Sequence, residues 1–325
     1  MLVTHWVHQE VLAHLESRCE VIANETRASW PRDTVLNLAA ECDAMMTFVP
    51  DHVDEAFLCA CPRLKVVAAA LNGQDNVDVD ACTRRKVWLS VAPDLLAVPT
   101  AELAIGLMIA LARNLHAGDS HVRSGRFEGW RPRLYGSGLN GSTLGIIGLG
   151  TVGRAVAERA VGLDMKVVYA DPRATAMGPE RLSLERLLKI SDYVMPLVPL
   201  TRSSHHMFDA AAIGRMKHGA RLINVARGSL VDEAAVAASL ASGRLAGYAA
   251  DVFEMEDSAF ETRPRTVHRD LLQDRARTFF TPHLGSAVEE AGLAVATVAA
   301  DNILDALAGL RPRDAINEIA EEIAA

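Results

Sequence analysis

The chain has 325 residues, half of them apolar and only 5% aromatic, and this length and composition predict two soluble α/β domains. A net charge of −8, with lysine and arginine scattered rather than clustered, argues against nucleic acid as a partner. Five cysteines without a Cys-x-x-Cys pair predict neither a disulfide framework nor a metal site.

The most apolar stretch, residues 103–112, is shorter than the ~20 residues that span a bilayer. The first six residues lack the features of a secretory signal, so we expect a cytoplasmic protein without a membrane partner.

Short apolar runs of strand length alternate with longer amphipathic stretches along the chain. This alternation is typical of βαβ units and predicts an α/β fold with doubly wound parallel sheets. The predicted strands cover residues 44–49, 65–70, 87–91, 144–148, 166–170, 193–197, 221–225 and 245–250. Before the fourth of them, residues 99–115 begin with Pro99 and form a long apolar stretch, which predicts a buried helix suited also to a subunit interface.

The fourth predicted strand runs into a glycine turn, Gly148-Leu-Gly-Thr-Val-Gly153, which opens a helix. In a dinucleotide site these glycines allow a tight turn, close approach of the pyrophosphate and helix packing, and the helix N-terminus attracts the diphosphate. Asp171 ends the next strand, 18 residues after Gly153, where an acid binds the adenine ribose; the alternative is an aspartate that caps a turn. The pattern predicts NAD, with NADP as a weaker alternative because Arg173 follows closely.

The glycine turn lies in the middle of the chain, so the nucleotide domain must be inserted into another domain. We predict a Rossmann NAD domain over residues 98–284. It is inserted into a flavodoxin-like substrate domain made of residues 1–97 and 285–325. Residues 287–307, rich in alanine and valine, predict a return helix that completes this second domain.

Three segments that follow later strands carry the candidate catalytic residues Arg227, Glu256 and His283. Arg227 follows the strand at 221–225, where a guanidinium can clamp a carboxylate or a phosphonate. The structural alternative is an ion pair of Arg227 with Asp232 or Glu233. Glu256 follows the strand at 245–250, and His283 follows the apolar run at 278–280. A carboxylate beside a histidine fixes the orientation of the ring and suits a general acid or base that works near neutrality.

Taken together, these segments resemble the D-isomer-specific 2-hydroxyacid dehydrogenase family over nearly the full length of the chain. Within that family, five segments are most similar to the phosphite (phosphonate) dehydrogenases, namely residues 91–106, 123–130, 134–138, 248–257 and 280–288. The resemblance implies a homodimer that binds a small anionic substrate in a cleft between the domains. It also implies that Arg227 binds this substrate and that His283, supported by Glu256, is the base.

The same resemblance assigns further residues to the site. The expected substrate-binding residues are Asn72, Gly73, Arg227, Trp130, Tyr135 and Ser286. The expected cofactor-binding residues are Thr100, Gly148, Gly150, Thr151, Val152, Gly153, Asp171, Pro172, Pro199, Ala226, Asp251 and His283.

Two positions depart from the phosphite dehydrogenases, where Asn72 replaces a lysine and Gly292 replaces an arginine. Both changes remove positive charge from the surroundings of a dianionic substrate, and Arg131 and Arg133 are candidate replacements for that charge. A 2-hydroxy or 2-keto acid carries one negative charge and needs only Arg227 and backbone N–H groups. We therefore expect an NAD-dependent dehydrogenase of the phosphite type. A D-2-hydroxyacid dehydrogenase or 2-ketoacid reductase for glyoxylate or hydroxypyruvate is the alternative, and a non-catalytic nicotinamide sensor is the third possibility.

Overall fold

The computed structural model describes residues 1–71, 73, 75–92, 94–174, 178–257, 260 and 262–319. The chain divides into two compact units. Unit 1 comprises Met1–Leu96 and Ala287–Ala325, and unit 2 comprises Ala97–Ser286. The boundaries predicted from the sequence follow residues 97 and 284. Helices and strands are numbered along the whole chain, and Asn72 lies outside the described residues.

Unit 1 is built on a five-stranded parallel sheet with the order β2-β1-β3-β4-β5, which is the flavodoxin-like order. Its strands are β1 (Leu2–Val3), β2 (Ile22–Ala23), β3 (Ala44–Thr47), β4 (Val66–Ala69) and β5 (Trp88–Val91). Its helices are α1 (Gln9–Glu16), α2 (Arg32–Ala39), α3 (Glu55–Ala60), α4 (Val79–Arg84) and α12 (Glu289–Leu307). The last of these helices lies within the stretch predicted as the return helix.

Successive residues of β3 and β4 face two different apolar cores. Met45 and Val67 pack in a core that includes buried residues of α2, α3 and α4. Met46 and Ala68 pack instead in a core with α1 and α12. Because both faces of the sheet are covered, these strands are continuous apolar runs, and this is why the sequence revealed them.

Unit 2 is built on a seven-stranded parallel sheet with the order β12-β11-β10-β9-β6-β7-β8. Its strands are β6 (Thr143–Ile147), β7 (Lys166–Ala170), β8 (Glu180–Arg181), β9 (Tyr193–Pro196), β10 (Ala220–Asn224), β11 (Leu245–Ala250) and β12 (Thr278–Phe280). Its α-helices are α5 (Ala97–Ala112), α6 (Leu115–Arg123), α7 (Thr151–Val161), α8 (Leu184–Ile190), α9 (Ala210–Arg215), α10 (Glu233–Ala241) and α11 (Arg269–Gln273). Two 3-10 helices complete the unit, η1 (Gly228–Leu230) and η2 (Glu254–Glu256).

The strand order of unit 2 reverses between β6 and β9, which is the switch point of a Rossmann sheet. Two apolar cores flank this sheet, as in unit 1, and successive residues Val167 and Val168 of β7 belong to different ones. The two doubly wound parallel-sheet folds, one Rossmann and one flavodoxin-like, confirm the predicted fold class.

One predicted helix is divided in the structure. The stretch predicted as a single helix over 99–115 contains α5, a break and the start of α6. Asn114 lies at the break with φ of 54°, a left-handed conformation that asparagine tolerates better than most residues. In the described part of the chain no single helix has the length and apolarity to cross a membrane. Helices α5 and α6 meet those criteria only as a pair, and a 66° bend separates them.

Candidate active site

The glycine turn connects β6 to α7 at the carboxyl end of the unit 2 sheet. Gly148 has φ of +93°, and a Cβ placed there would lie 2.6 Å from the carbonyl oxygen of Leu197. A Cβ on Gly153 would lie 2.4 Å from the carbonyl oxygen of Gly148, so this glycine allows α7 to pack close to the turn. A Cβ on Gly150 would meet nothing within 4 Å, and this open backbone at the start of an 11-residue helix fits a diphosphate.

Asp171 follows β7 and is fixed in place by backbone N–H groups. Its Oδ2 accepts a hydrogen bond from Leu149 in the glycine turn at 2.8 Å, and its Oδ1 accepts from Arg173 and Ala174. Burial raises the pKa of Asp171, but these hydrogen bonds outweigh it and hold the pKa below its ordinary value. Asp171 therefore carries a negative charge beside the glycine turn, where it fits the role of partner for ribose hydroxyls.

The other residues expected at the cofactor are distributed along unit 2. Thr151 and Val152 lie in the first turn of α7, Pro172 follows Asp171, and Pro199 follows β9. Thr100, on α5, donates from Oγ1 to the carbonyl oxygen of Gly285 at 3.3 Å. The N–H group of Ala226 donates to Oδ1 of Asn224 at 3.2 Å. Their contacts with a cofactor stay a prediction.

Arg227 follows β10 and precedes the 3-10 helix η1. The buried side chain of Asn224, at the end of β10, donates from Nδ2 to the carbonyl oxygen of Arg227 at 2.8 Å. The guanidinium Nη1 of Arg227 in turn donates to the carbonyl oxygen of Ala226 at 2.8 Å. Asn224 thus fixes the backbone that carries Arg227. The two acids named as its alternative partners have other contacts: Asp232 caps α10 through Ala235, and Glu233 accepts from His268 and Glu254.

The 3-10 helices η1 and η2 pack backbone against backbone. A Cβ on Gly228 would lie 1.9 Å from the carbonyl carbon of Phe253 and 2.3 Å from the nitrogen of Glu254. The neighbouring N–H group of Ser229 donates to Oδ2 of Asp257 at 2.6 Å. Only glycine permits this approach, so Gly228 sets the spacing between the turn with Arg227 and the turn with Glu256.

Glu256 and His283 form a hydrogen-bonded pair. Nδ1 of His283 donates to Oε2 of Glu256 at 2.6 Å, and Oε1 of Glu256 accepts from its own turn at the N–H group of Phe253, at 2.7 Å. Each of the two side chains is about one-quarter exposed. A proton held at Nδ1 leaves Nε2 of His283 to exchange a proton with a substrate.

Asp251, at 1% exposure, anchors the turn that presents His283. Its Oδ1 accepts hydrogen bonds from the Thr281 hydroxyl at 2.5 Å and the Leu284 N–H at 2.7 Å, and its Oδ2 accepts from the Gly285 N–H at 2.8 Å. His283 itself has φ of 56°, and its N–H donates to the carbonyl oxygen of Asp251. These contacts maintain a left-handed conformation, which is uncommon for residues other than glycine.

The structure brings Glu256 and His283 into contact and joins the turns of Arg227 and Glu256. The other expected substrate-binding residues that the structure describes belong to separate segments of the two units. Trp130 and Tyr135 lie on the segment between α6 and β6, with exposures of 79% and 77%. Ser286 is the last residue of unit 2, whereas Gly73 follows β4 of unit 1. The roles expected for these four residues stay predictions.

The sequence did not indicate the roles of Asn224 and Gly228, nor the residues that hold η2 in place. Asn224 and Gly228 flank Arg227 in the pattern Asn-x-x-Arg-Gly, and this pattern could have indicated that they position Arg227. His206 also contacts η2, since its Nε2 donates to Oε2 of Glu254 at 2.9 Å. Forty-eight residues separate these two partners, so local sequence carries no signal of their contact.

Gly228→Ala tests the backbone contact between η1 and η2. The added Cβ overlaps the Phe253 backbone, so we expect a loss of about 3 kcal/mol in the free energy of unfolding, the upper end for overpacking. Displacement of Arg227 from Glu256 should also lower kcat by ~10²-fold. Denaturant unfolding and steady-state kinetics measure both.

The matched control is Gly214→Ala, because a Cβ on this glycine in α9 meets nothing within 4 Å. It should leave kcat unchanged and leave stability equal or higher, since alanine favours a helix by up to ~1 kcal/mol. Equal stability and kcat in the two variants would contradict the role given to Gly228.

Asp171→Ser tests the cofactor preference. Loss of the carboxylate removes a repulsion against a 2′-phosphate, and Arg173 remains nearby, so the ratio of Kd for NADPH to Kd for NADH should fall at least ~10-fold. Fluorescence titration measures both constants without any substrate. Asp192→Ser makes the same charge change beside Thr143, at the amino end of β6, and should leave the ratio unchanged. An unchanged ratio of the two Kd values in Asp171→Ser would refute the role of Asp171 in cofactor preference.

The chain is similar to proteins of known family. A family model described as D-isomer specific 2-hydroxyacid dehydrogenase, NAD binding domain, matches residues 105–285. A glyoxylate reductase of Thermococcus litoralis is 34% identical over an alignment that covers 98% of this chain and 96% of that protein.

Solved structures agree with the sequence matches. A crystal structure of a Thermus thermophilus protein superposes with a TM-score of 0.89 at 33% identity, covering 97% of this chain and 99% of that one. The D-lactate dehydrogenase of Aquifex aeolicus, in complex with NAD and lactic acid, gives a TM-score of 0.83 at 25% identity and covers 95% of both chains. The family resemblance and NAD as the cofactor are thereby confirmed. The chain belongs to the D-isomer-specific 2-hydroxyacid dehydrogenase family and is an NAD-dependent oxidoreductase.

Proposed function

We propose that the chain oxidises phosphite to phosphate with NAD as the hydride acceptor. One observation carries this choice: both segments that build the His283 pair are among the five that resemble the phosphite dehydrogenases. Residues 248–257 contain the end of β11 and η2 with Glu256, and residues 280–288 contain the turn with His283. The resemblance therefore includes the segments in which the proposed chemistry takes place.

The arrangement of groups suits this reaction. Nε2 of His283 removes a proton from water, and the oxygen of that water becomes bonded to phosphorus as the P–H bond breaks. Bound NAD supplies the chemistry that the side chains lack, which is acceptance of the hydride. Glu256 orients the ring through Nδ1 and stabilises its protonated form, while Arg227 binds the anion bidentately. The products are phosphate, NADH and one proton.

Reduction of a small 2-keto acid is the second candidate, and a specific observation favours it. Asn72 and Gly292 lack the positive charge found at these positions in phosphite dehydrogenases, and Glu289 adds a negative charge near Gly292 in the chain. A monoanionic carboxylate needs fewer cations than a phosphite dianion. Glyoxylate reductases are also among the relatives at full length. In this direction protonated His283 gives its proton to the keto oxygen as the hydride reaches the carbon.

The active protein is a homodimer in this proposal. Large apolar side chains are exposed on α6 and on the segment that follows it, among them Val122, Phe127, Trp130 and Tyr135. Their concentration within residues 122–135 supports an association surface on this segment. A cytoplasmic location is proposed with it, since all five cysteines are free thiols, as expected in a reducing compartment.

A substrate panel separates the candidates. We expect NADH absorbance to rise with phosphite and NAD, and His283→Asn to lower kcat by ~10²–10⁴-fold through loss of the base. Asparagine is the matched replacement because it tolerates the positive φ at position 283. Turnover of glyoxylate or hydroxypyruvate with NADH, and none of phosphite, would establish the second candidate. Tight NADH binding without any turnover would establish a nicotinamide sensor.

Asn72→Lys tests the charge argument within the proposal. A restored cation beside a dianionic substrate should raise kcat/KM for phosphite at least ~10-fold, equivalent to about 1.4 kcal/mol. Asn140→Lys makes the same change at an exposed position before β6 and should have no effect. An unchanged or lower kcat/KM for phosphite in Asn72→Lys would show that charge at this position does not limit the reaction.

A further inference from the structure

Two acidic side chains brace the 3-10 helix that carries Glu256. The N–H group of Glu233 donates to Oε1 of Glu254 at 2.9 Å, and the N–H group of Glu254 donates to Oε1 of Glu233 at 3.1 Å. Oε2 of Glu233 also accepts from the N–H group of His268 at 2.7 Å. Each glutamate therefore binds the backbone of the other, and this reciprocal pair ties the start of α10 to the start of η2.

A third residue extends this pair to η1. Nε2 of His206 donates to Oε2 of Glu254, while the N–H group of His206 donates to the carbonyl oxygen of Ser229 in η1 at 2.7 Å. The ring of His205 stacks on that of His206 with centroids 3.9 Å apart. His206 thus contacts η1 through its backbone and η2 through its side chain.

The pair is held at a free-energy cost. Glu233 and Glu254 are 3% and 8% exposed, and two carboxylates at this depth are unfavourable without compensation. Burial raises the pKa of Glu233, against the lowering effect of the N–H groups of His268 and Glu254. Helix starts can be capped by exposed serine or aspartate, so stability alone does not require such a pair. Costly buried acids of this kind are typical of functional sites.

We propose that Glu254 is a positioning residue, which with Glu233 and His206 fixes η2 so that Glu256 holds His283 in its productive orientation. This inference rests on the proposed roles of Glu256 and His283. Glu254 and Glu256 are the first and last residues of one three-residue turn, so a shift of Glu254 moves the backbone of Glu256 directly. A pair at 2.6 Å tolerates displacements of only ~0.5 Å, and misplacement by about 1 Å can cost ~10²-fold in rate.

Kinetics of three variants at one position test the proposal. Glu254→Ala removes both acceptors and should lower kcat at least ~10-fold, while the Kd for NADH stays unchanged. Glu254→Gln keeps an acceptor for the Glu233 N–H and offers its amide to His206, so it should restore most of the lost kcat. If Glu254→Ala does not fold, Glu254→Asp serves instead, because it keeps the charge but is one methylene too short.

The control for general destabilisation is Asp209→Ala, which removes the N-cap of α9 at Ala212. It should cost ~0.5–2 kcal/mol of stability but leave kcat unchanged. Unchanged kcat in Glu254→Ala would overturn the positioning role. The positioning role would also be overturned if Glu254→Ala and Glu254→Gln lost kcat and NADH affinity to the same extent as each other, because such losses indicate general damage to the fold.

A spectroscopic readout separates failure of this inference from failure of the proposed function. A short hydrogen bond between imidazole and carboxylate gives a strongly downfield proton resonance, which is assigned here by its loss in Glu256→Gln. In the NADH complex, Glu254→Ala should shift or broaden this resonance and Asp209→Ala should not. The measurement needs no substrate, so a shift without turnover refutes only the proposed function. An unmoved resonance together with unchanged kcat refutes the positioning role.

Discussion

The parallel direction of all seven strands in unit 2 is the constraint on which the site depends. Because the carboxyl ends of parallel strands emerge at one edge, the segments after β6, β7, β10, β11 and β12 share that edge. The order of the strands then determines where each side chain lies along this edge. The glycine turn and Asp171 follow β6 and β7 on one side of the switch point, and Arg227, Glu256 and His283 follow β10, β11 and β12 on the other. The topology therefore separates the residues proposed to bind the cofactor from those proposed to transfer the proton.

Fine placement within this edge comes from contacts that hold the backbone of each turn. Gly228 allows two 3-10 helices to touch, Asp251 binds three donors of the His283 turn, and Glu254 exchanges hydrogen bonds with Glu233. Backbone spacing varies less than the rotamers of long side chains. A short hydrogen bond such as that between Glu256 and His283 depends on such spacing, and this explains why so many buried polar groups surround a site of three residues.

The sequence predicted the strands of both sheets where they are buried on two sides, because each is then a continuous apolar run. The predicted strands do not include β1, β2 and β8, because each is only two residues long. The prediction also merged α5 with α6, because the break at Asn114 depends on one backbone conformation. The glycine turn and Asp171 were predictable because a fixed spacing connects them. The contacts of Glu254 with Glu233 and His206 were not, since the partners lie 21 and 48 residues away and meet only through the fold.

Helix α12 has a consequence for the order in which the protein folds during synthesis. Its buried residues, including Ala296, Ala300 and Ile303, cover one face of the unit 1 sheet against Met46 and Ala68. The five strands of that sheet are made within the first 91 residues, but their covering helix is made only after all of unit 2. The unit begun first is thus completed last, and the part of this face that α12 covers beside α1 stays exposed until unit 2 has been made. Exposed apolar surface promotes aggregation, so this part of the sheet is the most vulnerable until α12 has been made.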